Sequence, residues 1–178
     1  MFKDFDISSF KKMKPPSDNS FDTMQEVKEL EKTPLNKKFV KENDDIEAAF
    51  KKTAEQKNIK DYDKNIAAKL IKASAPIILK LKKHFDRPRP KVLAKKLNIN
   101  MKDIEMDSMT TPSYPTGHSV QGILIGKVLV DEYPKARTAF AKRGKNISDS
   151  RRSARAHYKS DSKMGEKLGD AMYNFLKK

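Results

Sequence analysis

Residues Gly117 to Tyr133, GHSVQGILIGKVLVDEY, are apolar on most sides when wound into a helix. His118, Gln121, Ile125, Val128 and Glu132 form one stripe, while Val120, Ile123, Leu124, Leu129 and Val130 fall elsewhere around the circumference. A helix of this kind cannot lie on a surface and needs neighbours on several sides. Lipid is not the neighbour, because the longest apolar stretches, 75–79 and 123–130, are far short of the roughly 20 residues that span a bilayer. The segment is therefore expected to be the central, buried helix of a protein with no transmembrane segment.

The rest of the chain supplies helices able to surround it. Phe21, Met24, Val27 and Leu30 recur every third residue behind Ser20, a suitable N-cap, and predict an amphipathic helix ending near Thr33-Pro34. Asn43 is expected to cap a helix running to Gln56, with Ile46, Ala49, Phe50 and Thr53 inward. Ile66, Leu70, Ala73, Ile77 and Leu81 predict a long helix over 61–83, kinked at Pro76 and stopped by the prolines of HFDRPRP. A short helix follows over 91–97, then a loop to Thr116. Pro134 is expected to open the next helix, 148–159 reads as polar but helix-forming, and Lys163 to Leu176 places Met164, Leu168, Ala171, Met172 and Phe175 on one face. No segment alternates as a strand would and no repeat is found, so the fold class is all-α. The length, 178 residues, fits one helical domain over 21–178. Residues 1–20 read as an N-terminal arm, docked through Phe2, Phe5 and Phe10 or partly disordered.

Charge narrows the partners. With 39 Lys and Arg against 24 Asp and Glu, the net charge of +15 attracts anions. The absence of cysteine rules out disulfides, thiolate metal sites and cysteine nucleophiles. The charged first residues hold no signal-peptide core, so the chain is cytoplasmic if Met1 is its native start and exported if a signal has been removed.

Without cysteine, nucleophilic chemistry leans on the three histidines. His118 sits in Pro115-Thr116-Gly117-His118, where a turn feeds the apolar helix and free backbone N–H groups can hold an anion. His157 precedes Asp161 by four residues. On a helix the two would face each other, and the carboxylate would fix the imidazole tautomer and leave the second nitrogen nucleophilic. Upstream, Lys82 to Pro90 gathers Lys and Arg beside a proline-fixed turn that can present several cations to one anion. His84 in that block reads as a packing or rim residue, Tyr114 and Tyr158 as core or pocket mouth, and Lys142-Arg143-Gly144-Lys145 as solvated surface.

These three blocks resemble, in order, the signatures of the type 2 phosphatidic acid phosphatase superfamily, which includes class A nonspecific acid phosphatases and vanadium haloperoxidases. Lys-x6-Arg-Pro is matched by Lys82 to Arg89-Pro90, Pro-Ser-Gly-His by 115–118, and Ser-Arg-x5-His-x3-Asp by Ser150-Arg151, His157 and Asp161. The connecting segments are 24 residues between Pro90 and Pro115 and 31 between His118 and Ser150. Lys80 to Arg87-Pro88 also fits the first signature, but Arg-x-Arg-Pro at the block's end resembles the acid phosphatases and favours Lys82 and Arg89. Arg87 is then a cation behind the site or on the surface. Thr116 replaces the usual Ser and keeps its hydroxyl, and Arg155 stands where many members carry Gly.

The resemblance implies a helical bundle of the acid phosphatase and haloperoxidase type, and a metal-independent phosphatase acting on phosphomonoesters or diphosphates through a phosphohistidine. Lys82, Arg89, Thr116, Gly117 and Arg151 would hold the phosphoryl group, His157 would attack it, Asp161 would orient His157, and His118 would protonate the leaving oxygen and then activate water. It implies no cofactor, no metal site, a small anionic phosphorylated substrate, vanadate as an inhibitor or phosphate mimic, and, with a proline-rich start at 15–20, periplasmic export. A vanadate-dependent haloperoxidase and a non-catalytic anion- or nucleic-acid-binding protein are the alternatives. The first is disfavoured by the short chain, and nucleic acid is not expected because no recognisable motif for it is present.

Overall fold

The centre of the molecule is the apolar helix over Gly117–Glu132, in which Val120, Leu124, Ile125 and Leu129 are completely buried. The computed structural model describes residues 1–178 and is helical, with no strand. In chain order the helices are α1 (Ser8–Lys11), α2 (Phe21–Lys32), α3 (Lys37–Asp44), α4 (Ile46–Gln56), α5 (Asn65–Phe85), α6 (Pro90–Lys96), α7 (Gly117–Glu132), α8 (Arg137–Ser153) and α9 (Lys159–Leu176). As its pattern requires, α7 is flanked by α8, α9 and α5. Truncating a side chain such as Leu124 to Ala here would cost about 2–5 kcal/mol.

Glycines set the closeness of this packing. A Cβ on Gly122 of α7 would stand 2.7 Å from the carbonyl oxygen of Gly144 in α8, and one on Gly165 of α9 would stand 2.7 Å from that of Thr116. The backbones therefore touch, which lets the Thr116 N–H reach the Asp161 carbonyl at 3.2 Å and joins the starts of α7 and α9. At the amino end, Phe2 and Phe10 are buried, and Phe5 packs edge-on to Phe175 with ring centroids 5.5 Å apart.

Four local expectations need correction. Asn43 caps no helix: α3 and α4 are separate, capped by the side chains of Asn36 and Asp45, and Asn43 is buried, accepting from Arg143. Two good caps nine residues apart outcompete one long helix. Pro134 opens a single 3-10 turn, Pro134–Ala136, ahead of α8. Residues 148–159 are not one helix, since α8 ends at Ser153 and α9 begins at Lys159, with Arg155 left-handed between them at φ 57°. Finally, the basic run at 142–145 is only partly solvated, because Gly144 is buried against α7 and Arg143 donates to Thr53 and Asn43. Pro76 lies within α5 on its exposed side, where the helix carries on past it.

Candidate active site

Local rules place the first group of cations. Asp86 adopts a left-handed conformation at φ 46° and ends α5, after which Pro88 and Pro90 hold the backbone extended. On a flat strand residues two apart would share a face, but on this proline-held turn Arg87 and Arg89 diverge. Arg89 turns towards His157, donating from Nη1 to Nε2 at 2.8 Å and to the Ala156 carbonyl at 3.1 Å, and from Nε to the Thr111 carbonyl at 2.8 Å. Arg87 turns behind Asp161. Lys82, buried on α5, donates to the Pro112 carbonyl, whereas Lys80 is exposed. Lys82 and Arg89, rather than Lys80 and Arg87, therefore share the cavity with His157.

The second group stands at the start of α7. The Thr116 hydroxyl is buried with no hydrogen-bond partner, and Gly117 and His118 form the first helical turn. His118 Nε2 donates to the Asp44 carbonyl at 2.9 Å, with the Asp44 carboxylate 3.6 Å away. Burial, with Arg151 nearby, pushes the His118 imidazole down to about 4.

The third group is assembled by a break in helix rather than by a helix face. Arg151 closes α8, His157 lies in the connection, and Asp161 occupies the first turn of α9 and accepts the Tyr158 N–H at 3.0 Å. His157 Nδ1 still meets Asp161 Oδ2, at 3.3 Å. Since Arg89 can only donate, Nε2 is the acceptor and the ring proton sits on Nδ1, facing Asp161. Burial lowers the His157 imidazole to about 3, so it is neutral, and the same bonds hold the Asp161 carboxyl below its ordinary value against the opposing effect of its burial. Arg155 explains how the turn is made without glycine. It pays the left-handed strain and donates from Nε and Nη2 to the Thr33 carbonyl, tying the turn to the end of α2.

His118, His157, Lys82, Arg89 and Gly117 line one cavity of about 220 Å³. Arg151 stands beside it, held by the Asp44 carboxylate at 2.8 Å, with its Nη2 buried and unpartnered. Two orphaned donors, Thr116 Oγ1 and Arg151 Nη2, thus accompany two imidazoles and three cations. Buried donors without acceptors are costly, and an anion would satisfy them. Burial lowers Lys82 to about 7 and Arg89 to about 10, and a bound anion would favour both charged forms. No group of three or more His, Asp or Glu side chains is arranged to hold a metal ion.

Sequence reasoning missed Asp44, which serves both Arg151 and His118, from 107 and 74 residues away. It also missed Ser113, whose hydroxyl donates to Asp161 Oδ2 at 2.5 Å; its place two residues before Pro115 was the available signal. His84 is exposed and lies outside the cavity, its Nε2 3.3 Å from the Lys11 carbonyl of α1, and Tyr114 and Tyr158 are buried, with hydroxyls donating to the Met13 and Pro88 carbonyls.

A helical bundle that gathers Lys, Arg and two histidines around an anion-sized cavity is the arrangement that the three signature blocks imply. No family model matches the chain. In sequence it is similar to the non-specific acid phosphatase of Salmonella typhimurium, 34% identical over 88 residues, 49% of this chain and 35% of that protein. The match therefore spans about a third of that relative's length. In fold it is similar to a transmembrane PAP2 type phosphatidylglycerolphosphate phosphatase from Bacillus subtilis, with TM-score 0.62 and 15% identity over 99% of this chain and 95% of that one. The sequence likeness over half of the chain and the likeness in fold agree with the resemblance to the type 2 phosphatidic acid phosphatase superfamily that the three signature blocks carry. Unlike a transmembrane relative, the chain has no helix long and apolar enough to cross a membrane.

Proposed function

We propose that this chain is a phosphatase that hydrolyses phosphomonoesters or diphosphates through a phosphohistidine, without a metal ion. The observation that carries the reading is the His157 Nε2 lone pair in a cavity lined also by His118, Lys82 and Arg89, with unpartnered donors on Thr116, next to the lining Gly117, and on Arg151, close to His118. Both proteins named above are phosphatases, which supports it.

In the first half-reaction His157 Nε2 forms a bond to phosphorus as the bond to the leaving oxygen breaks, and His118 supplies that oxygen with a proton. Asp161 accepts the Nδ1–H and stabilises the positive ring. In the second half-reaction His118 takes a proton from water, whose oxygen bonds to phosphorus while the P–N bond breaks, regenerating both imidazoles and releasing phosphate. Lys82, Arg89 and Arg151 neutralise the phosphoryl oxygens, with the Thr116 hydroxyl and Gly117 N–H as further donors. A bound phosphate dianion raises the His118 imidazole from its low resting value, so substrate itself readies the acid.

Phosphate release is the test, measured with EDTA present on nucleotides, sugar phosphates, inorganic diphosphate and short-chain lipid phosphates. Turnover that persists in EDTA and is blocked by orthovanadate is expected. Activity lost on chelation and restored by Mg²⁺ or Zn²⁺ would overturn the mechanism.

A further inference from the structure

Arg87 is the buried cation that this mechanism leaves unused. Its side chain is 1% exposed and lies on the face of Tyr158, with the guanidinium carbon 3.9 Å from the ring centroid. Nη1 donates to Asp161 Oδ1 and to Ser160 Oγ, both at 2.7 Å, while Nη2 donates to Glu26 Oε2 at 3.1 Å and Thr23 Oγ1 at 3.3 Å. Glu26 comes from α2, far from any signature block. Its other oxygen accepts the Ser160 N–H at 2.6 Å, and Oε2 also accepts from the Ser160 hydroxyl at 2.7 Å. Glu26 thus grips the first turn of α9 directly, and through Arg87 it grips the carboxylate that orients His157.

We propose that Glu26 and Arg87 are positioning residues that set both the orientation and the effective charge of Asp161, so that α2 is a working part of the site. The inference rests on the phosphohistidine reading, because it assigns a role through His157. The geometric part is direct. Asp161 Oδ1 is held by Arg87, while Oδ2 receives the Ser113 hydroxyl, the Tyr158 N–H and His157. Without Arg87, Oδ1 loses its only side-chain donor and the carboxylate is free to rotate off Nδ1.

The electrostatic part has a sign. The charged and titratable groups facing His157 are Asp161 from α9, Arg89 from the proline turn, Lys82 from α5 and His118 from α7. Arg87 and Glu26 act on it through Asp161. Pairing with Arg87 offsets part of the Asp161 charge and limits how strongly that charge holds a second proton on the imidazole. Removing the Arg87 charge makes His157 more basic, whereas removing the Glu26 charge leaves Arg87 to Asp161 alone and makes His157 less basic.

The test compares Arg87→Gln, Arg87→Lys, Glu26→Gln and Glu26→Ala in the full chain, by kcat, KM, the acid limb of kcat/KM, and mass spectrometry for phosphate on His157. Neither residue faces the phosphoryl cavity, so kcat is expected to fall about tenfold in Arg87→Gln and about threefold in the Glu26 variants, with KM within about twofold of wild type. Arg87→Lys should recover part of the loss. The acid limb should move to higher pH in Arg87→Gln and to lower pH in Glu26→Gln, opposite shifts that general loosening of the fold would not produce. If Arg87→Gln does not fold, the Glu26 variants decide. Wild-type kcat and an unmoved acid limb in Glu26→Gln and Glu26→Ala, with the wild type phosphorylated on His157, would overturn the relay. A wild-type enzyme that turns over without a His157 adduct overturns the underlying mechanism instead, and the relay with it.

Discussion

The stretch from Lys82 to Asp161 and the stretch from Met1 to Lys64 contribute to one site in opposite ways. The first carries every signature block and supplies the groups that face the cavity. The second carries no motif, yet supplies the carboxylates behind them: Asp44 at the end of α3 for Arg151 and His118, and Glu26 of α2 for Arg87. Groups that meet a ligand are constrained by the chemistry of that ligand, so their types and spacing form a pattern. A countercharge needs only to arrive at the right place, and several helices can deliver it. The difference teaches that a motif reports the surface of a site and is silent about its support.

The largest effect should come from the motif-bearing side. His157→Ala is expected to abolish turnover and to show no added phosphate by mass spectrometry at neutral or alkaline pH. His118→Ala, given an aryl phosphate whose leaving group needs no proton, should become phosphorylated on His157 and lose the phosphate slowly. Phosphate found on His118 would reverse the two roles.

Next come the cations. Arg89→Ala and Arg151→Ala should each lower kcat/KM by about 30- to 1,000-fold, the equivalent of about 2 to 4 kcal/mol of transition-state stabilisation. Exposed Lys80→Ala should leave it unchanged, and an equal loss there would put the first block in the other register. The Arg87 effect should lie between these.

The supporting side should respond less and differently. Asp44→Asn releases Arg151 and is expected to lower kcat/KM about tenfold, an interaction of about 1.4 kcal/mol. Because the Asp44 carboxylate favours the protonated imidazole, its loss should lower His118 further below about 4, so the alkaline limb of kcat/KM moves to lower pH. A shift to higher pH would separate Asp44 from His118. The smallest effect is expected for Arg155→Gly, which relieves the left-handed strain of about 1 kcal/mol but loses the bonds to Thr33. Denaturant midpoints within about 1 kcal/mol of wild type in stability would agree with that balance, and a loss several times larger would make the Arg155–Thr33 tie the stronger of the two.

Periodicity made the bundle legible because burial repeats along a helix. The ends of α2 are where Ser20 and Thr33-Pro34 put them, and α7 is central because no stripe on it is polar enough to face water. The break between α8 and α9 was not legible, since Arg155 is a good helix former and its left-handed turn is held by ties to the distant Thr33 and Lys102 carbonyls. The pairing of His157 with Asp161 was therefore anticipated on a helix face and is reached instead through the cap of α9. Asp44 and Glu26 gave no signal because contacts across 107 and 61 residues leave no local trace.

The hydrogen bond from Arg89 to His157 also governs what the protein does between substrates. A neutral imidazole with a bare lone pair is open to any small electrophile that diffuses in. Here that lone pair is already engaged, and Arg89 can let go only for a better acceptor, which a dianionic phosphoryl group is and a neutral alkylating agent is not. The resting site is thus chemically quiet, and under the proposed mechanism its nucleophilic nitrogen is uncovered by an anion able to draw Arg89 away.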